Sequence, residues 1–280
     1  MSSLPMIMKG FASLVLALGM GLTLVPFEVS GKEPRTSAPS IFVDCPQFFY
    51  QGMPPNLPKA EHWKARALCF DAFAVLHSGK TRTPMYVAER LNKQHLEDAR
   101  NEVRTNEFFA DARLPFNERA ELNDYQGSGY DRGHMAPAGD MPTPQAMAQS
   151  FSLANVVPQA PQNNRGPWAK SVEKAVRKYV MRAKGDVYVI TGPVFVTSES
   201  ANQQINRVWV PDYLFKLVYD PSANKAWAYW LPNQDGVRIQ GVMSYQDLVN
   251  RTGIEFLPAL SAASVEAAGG SKVQDQKVTR

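Results

Sequence analysis

Ser128-Gly129-Tyr130-Asp131-Arg132-Gly133-His134-Met135-Ala136-Pro137 is the stretch on which the reading of this chain turns. An acid, a guanidinium and an imidazole fall within it almost side by side. The glycine between Arg132 and His134 lets the backbone turn sharply. An imidazole titrating near neutrality is a natural acceptor for the proton of a water that attacks a phosphodiester. An adjacent arginine can grip two phosphate oxygens at once. By itself the string is weak, because a lone histidine is more often structural than catalytic.

A second segment strengthens it. Asn155-Val156-Val157-Pro158-Gln159 is followed by Asn163-Asn164-Arg165-Gly166-Pro167-Trp168. Asparagine oxygens are neutral ligands suited to a hard cation such as Mg²⁺, which keeps much of its water. The same residues also suit helix capping and loop bonding, and Asn155 in particular fits a structural role. Pro167 predicts a helix to about Arg182. Trp168, Val172, Ala175, Val176, Tyr179 and Val180 recur at helical spacing as its apolar face. Lys170, Lys174, Arg177 and Lys178 lie off that face, as a solvated surface would.

Outward from this centre, residues 68–76 and 83–91 read as a hairpin around Ser78-Gly79-Lys80. Residues 118–133 read as loop. Strands are predicted at 187–190, 208–210, 214–219 and 226–231, and a short helix at 244–252 with Ser244 as its N-cap. Residues 41–58, with aromatics and repeated prolines, read as an irregular packed arm.

The N-terminus points to export. Lys9 precedes an apolar run from Phe11 to Phe27, with Val29-Ser30-Gly31 as small residues near a cleavage point. The run is nearly long enough to span a bilayer, so residues 1–31 read as a signal peptide or a membrane anchor. Residues 32–66 are linker and arm, 67–260 the folded domain, and 261–280 a disordered tail. Cys45 and Cys69 are the two cysteines; in an exported protein they suggest a disulfide, in a cytosolic one free buried thiols. Neither they nor the four histidines cluster, which argues against zinc. A formal charge of +4 on 280 residues is compatible with a polyanionic ligand and far from a nucleic-acid packaging protein.

Taken together, D-R-G-H-M-A-P-A-G-D, N-x-x-P-Q, Asn164 and Trp168 resemble the DNA/RNA non-specific endonuclease family with the ββα-metal fold. The likeness runs from about Phe70 to Leu260 and includes V-Y-V-I-T-G-P-V-F at Val187–Phe195. It implies an α+β fold, with a central antiparallel sheet flanked by helices and a ββα-metal unit as active site. It implies hydrolysis of DNA and RNA to products with 5′-phosphates, His134 as general base, Asn164 as the protein ligand of one Mg²⁺ with Mn²⁺ able to substitute, and Arg132 and Arg104 on phosphate. Arg104 also fits an ordinary surface position. Asn155 is carried over as a nucleic-acid contact.

One departure concerns the family's glutamate, usually four residues after the tryptophan. Here that position is Val172, and Glu173 follows it. A one-residue insertion after Trp168 restores the register; without one, a one-residue slip turns the side chain by about 100°. Glu173 then pairs with Arg177 at the surface. The expected setting is periplasmic or secreted, with DNA and RNA as partners, an inhibitor protein as a further one, and a membrane only if residues 1–31 stay attached. Two other readings fit part of the pattern: a catalytically silent nucleic-acid-binding or DNA-uptake component, and a narrower phosphodiesterase. The oligomeric state has no signature in the sequence.

Overall fold

The computed structural model describes residues 41–196 and 203–260. The apolar run at 11–27, the linker at 32–40 and the tail at 261–280 lie outside them. In chain order the strands are β1 (Ala65–Cys69), β2 (Phe73–Ser78), β3 (Thr83–Leu91), β4 (Asp131–His134), β5 (Val156–Gln159), β6 (Val187–Val194), β7 (Gln204–Ile205), β8 (Val208–Trp209), β9 (Tyr213–Asp220), β10 (Lys225–Pro232) and β11 (Met243–Ser244). The helices are α1 (Lys93–Ala99), α2 (Leu122–Tyr125), α3 (Pro144–Ser150), α4 (Pro161–Asn163), a π-helical segment Asn164–Glu173, α5 (Lys174–Val180) and α6 (Tyr245–Thr252). Seven strands form one antiparallel sheet in the order β1-β2-β3-β6-β9-β10-β11.

Strand periodicity explains the layering. Along β2, Ala74 and Leu76 join one core while Phe73 and Val75 join another, because successive side chains leave opposite faces. On the first face lie Phe42, Phe48 and Phe49 of the arm, with Leu248 of α6 and the following Phe256. On the second lie Met135, Val157, Trp168 and Val172, so this face carries the D-R-G-H segment and its helix. The sheet is thus covered on both sides, which is why β2 is buried along its whole length.

Several expectations hold and some shift. Ser244 caps α6 by accepting from the Asp247 backbone N–H at 3.1 Å, and Gly253 ends it at φ 68°. The predicted hairpin is β2–β3, but residues 65–69 make a separate strand and the chain turns at Phe70–Ala72. The apolar run at 68–76 hides that turn, since only Asp71 marks it. The expected loop 118–133 contains α2, closed by a capping box between Glu121 and Asp124, and the start of β4. The arm is built into the core, so the folded unit begins before residue 67. Cys45 and Cys69 form a disulfide that pins the arm to β1; opening it is expected to cost about 2–5 kcal/mol.

His77 on β2 is wholly buried, with Nε2 on the Glu118 carbonyl at 2.9 Å. Burial pulls its pKa down to about 4, so the folded state keeps it neutral. Unfolded, it takes up a proton below about pH 6.5; its contribution to stability is full above that pH and shrinks as pH falls toward the folded value. Glu89 and Glu173, whose pKa values burial raises, act in the opposite sense. The clean reading is therefore a difference. Between pH 6 and pH 4.5, His77→Gln should lose stability less steeply than wild type by about 1.4 kcal/mol per pH unit. Urea unfolding across that range checks it, and parallel slopes would show that His77 titrates normally.

Candidate active site

The two-stranded ladder β4–β5 and the helical run after it make a ββα unit on the second face of the sheet. In the ladder Asp131 faces Gln159 and His134 faces Val156. Gly133 has to be glycine for packing reasons: a Cβ there would land inside the buried Gln159 side chain. Gln159 in turn donates from Nε2 to Asn163 Oδ1 at 3.1 Å, joining the ladder to the helix start.

His134 is 7% exposed, packed between the rings of Phe108 at 5.3 Å and Phe151 at 4.9 Å. Its ring bonds the Arg132 backbone, and Nε2 is buried with no hydrogen-bond partner among the described residues. The backbone bond therefore uses Nδ1, which fixes the tautomer and leaves the Nε2 lone pair to accept a proton. Burial first, and then the charge of Arg104, hold the pKa at about 3, despite the backbone bond that pulls it up.

Two guanidinium groups stand near it without an acid in salt-bridge range among the described residues. Arg104 lies over Phe151 at 5.0 Å and donates to Asn106 Oδ1 at 2.6 Å. Arg132 lies over Phe108 at 5.0 Å and Tyr125 at 5.8 Å. Both line one open cleft with Phe108, Tyr125, Tyr130, Asp131 and Asn164. Aromatic faces carry these cations and neither makes a salt bridge among the described residues, which suits capture of an anion.

Asn164 is held by Asp131: its Nδ2 donates to Asp131 Oδ2 at 2.9 Å. Arg165 grips the same carboxylate with two bonds, at 2.8 and 2.5 Å. Burial alone would raise the Asp131 pKa, but these bonds outweigh it and keep the carboxylate charged. With its nitrogen committed, the amide has its oxygen left as a donor atom. A single neutral oxygen fits a hard cation that keeps most of its water, so the residues present suit Mg²⁺.

Glu173 is drawn inward. The run Asn164–Glu173 is π-helical, kinked at Gly166 with φ −106° and ψ −110°. An i→i+5 turn holds one residue more than an α-turn, so it absorbs an insertion without displacing the residues beyond it. Val172 joins the Trp168 core while Glu173 lies beside Arg177 at 3.7 Å, with Arg177 on Asp140 at 2.9 Å. The Glu173–Arg177 pair exists, but it faces the interior and not the solvent. Deleting the exposed Ser171 should convert this turn to an α-turn and keep Glu173 in place. A crystal structure of that variant should show Glu173 still beside Arg177 and Asp140; Glu173 turned away from them would show that the wide turn itself is needed to bring it inward.

Asn155 requires a correction. It is fully buried, its amide donating to the carbonyls of Ala136 and Ser150 and accepting from Ala136 N–H, each at 2.9 Å. A side chain with these bonds has no face for a nucleic acid; it splints the loop after His134. The sequence reading missed Phe108, Phe151 and Tyr125 as the walls of the site, since aromatics far apart in sequence carry no signal of convergence.

The structural class of the chain is thus an antiparallel α+β fold with a ββα unit on one face of its sheet. The profile of the DNA/RNA non-specific endonuclease family matches residues 58–263, and this chain belongs to that family. It is similar to nuclease EXOG, mitochondrial, of Danio rerio, 34% identical over 198 residues that cover 64% of this chain and 57% of that protein. The chain thus spans little more than half the length of that relative. Human endonuclease G, mitochondrial, is 30% identical over 225 residues, 74% of this chain and 72% of that one. A solved structure of the EndoG/EndoGI complex shares the fold, with a TM-score of 0.64 at 24% identity over 81% of this chain and 95% of that chain.

Proposed function

We propose that this chain hydrolyses phosphodiester bonds of DNA and RNA without reading base sequence, with His134 as general base and Asn164 holding one Mg²⁺. The observation that carries the reading is the orphaned Nε2 of His134 beside two guanidinium groups that make no salt bridge among the described residues. That buried nitrogen needs a hydrogen-bond partner, and an attacking water is one. Arg104 and Arg132 hold the phosphate so that water approaches phosphorus from the His134 side. His134 Nε2 takes its proton as the new P–O bond forms, the P–O3′ bond opposite breaks, and the leaving 3′ oxygen takes a proton from water to become a hydroxyl. The same guanidinium groups stabilise the charge that builds on the phosphate oxygens. When bound, Mg²⁺, or Mn²⁺ in its place, neutralises phosphate charge and acidifies its own water. Glu173, beside Arg177, orients water in the site. The contacts available are to phosphate, so binding should be independent of sequence and weaken steeply with salt.

We also propose that the protein acts outside the cytoplasm, in the periplasm or secreted. The apolar run at 11–27 and the Cys45–Cys69 disulfide support this. We propose an inhibitor protein as a further partner; the solved EndoG/EndoGI complex, in which EndoG is inhibited, shares this fold. The test is incubation of the oxidised protein with circular plasmid and with RNA, in Mg²⁺ and in chelator. Metal-dependent loss of both polymers supports the reading. A folded protein that leaves both intact sinks it and favours a binding or uptake role; one that cleaves only activated small diesters favours a narrower phosphodiesterase. N-terminal sequencing of the mature protein decides between cleaved signal and retained anchor.

A further inference from the structure

Lys216 is a cation in the middle of an apolar strand, Tyr-Leu-Phe-Lys-Leu-Val-Tyr, and is 1% exposed. Along β9, Phe215 and Leu217 join the arm-side core and Leu214 the core around Trp168, so Lys216 points to the active-site face. Glu89 of β3 alternates with Ala88, which joins the arm-side core, and so lies on the same face. Burying an ammonium group is expensive unless hydrogen bonds and opposite charge compensate it. Lys216 Nζ donates to Thr191 Oγ1 at 2.7 Å and to the Met135 carbonyl at 3.3 Å, one residue beyond His134. It also sits 5.9 Å from the centre of the Trp168 ring, on the segment that carries Asn164 and Glu173.

We propose that Lys216 is a positioning residue for the active site: its ammonium group ties the strand end at His134, through the Met135 carbonyl, to the Trp168 ring on the Asn164–Glu173 segment. The inference rests on the reading of Glu173 as a member of that site. The groups facing Glu173 are Lys216 from β9, Arg177 from α5, Asp140 from the turn after Pro137, Arg104 from the segment before Phe108, and Glu89 from β3. Arg177 is already bonded to Asp140, so among the described residues facing Glu173 Lys216 is the fully buried cation without a direct bond to an acid. Glu89 has neither oxygen partnered among the described residues. A buried carboxylate in that condition is held neutral, so it does not compete with Glu173 for the Lys216 charge. Burial pushes both acids upward, and Lys216 is the largest opposing charge for each.

The test uses the full chain with Lys216→Met, Thr191→Val and Glu89→Gln, reading kcat and KM on DNA and the binding of Mn²⁺ alone by calorimetry. Lys216→Met should lower kcat by about 30-fold or more, leave KM within about threefold, and weaken Mn²⁺ by about tenfold. Thr191→Val, nearly the same shape, removes one anchor and should lower kcat by about threefold to tenfold; it carries the test if Lys216→Met does not fold. Glu89→Gln keeps a neutral group of the same size and should match wild type within about threefold. Folded Lys216→Met or Thr191→Val with unchanged kcat and metal affinity overturns the proposal. So does Glu89→Gln with losses like those of Lys216→Met, because Lys216 would then serve Glu89. A wild type that cleaves nothing overturns the nuclease reading itself, an outcome separate from these.

Discussion

Replacing His134 by alanine is expected to lower kcat for plasmid cleavage by about 10²–10⁴-fold while leaving DNA affinity nearly unchanged. The two effects separate because the imidazole and the guanidinium groups do different work. The guanidinium groups of Arg104 and Arg132 rest on Phe151, Phe108 and Tyr125, and the His134 ring bonds only the Arg132 backbone, not either guanidinium. The substitution therefore removes the proton acceptor and leaves the phosphate contacts. A second signature is the pH profile. The buried, cationic setting holds His134 at about 3, so it is neutral throughout the working range. A bound phosphate moves that value upward, but from a start well below 6.5. Activity should persist as pH falls from 8 to about 5.5, without a drop through the ordinary histidine value. Filter binding and initial rates on the same preparations measure both. An alanine variant keeping more than about a tenth of wild-type kcat sinks the assignment of His134 as base.

The parts of this site visible in the sequence are those where local chemistry and position coincide. Asp131, Arg132, Gly133 and His134 sit together in sequence because β4 presents them together, and Asn164 follows β5 closely enough to be read with them. The sheet was legible where strands are bounded by clear turns, as at 214–219 and 226–231, and blurred at 68–76 where one apolar run covers parts of two strands. Glu173 illustrates a harder limit. Spacing rules assume α-helical turns, and a π-helical run changes which residues share a face without changing any residue type. Asn155 shows the reverse error: an asparagine in a motif invites a ligand role, and only its three buried bonds reveal the splint. Glu89 and Lys216 did carry a signal, as charges inside apolar strands. Such a residue needs a compensating partner, but the sequence cannot say which strand supplies it.

Replacing Asn164 by alanine should cost about as much as removing the metal, a loss of about 10³-fold or more in Mg²⁺-supported cleavage, because the amide oxygen is the cleft's neutral donor. Asp131→Ala gives the finer test. Asp131 contributes no ligand in this reading; it accepts from Asn164 Nδ2 and so fixes which end of the amide faces the cleft. Without it the oxygen is still present but the side chain turns freely, and Arg165 loses its partner as well. Loss of such a supporting bond typically weakens a metal site by about 10–100-fold. Asp131→Ala should therefore fall between wild type and Asn164→Ala, and high Mn²⁺ should recover much of its activity. Asn164→Ala should stay inactive at the same metal concentration, since the amide oxygen is gone and the Asp131 carboxylate stays tied to Arg165. If Asp131→Ala is as inactive as Asn164→Ala and added metal restores nothing, then Asp131 acts on the ion or the substrate directly. The tether seen between the two side chains would in that case be the state the site leaves when it binds.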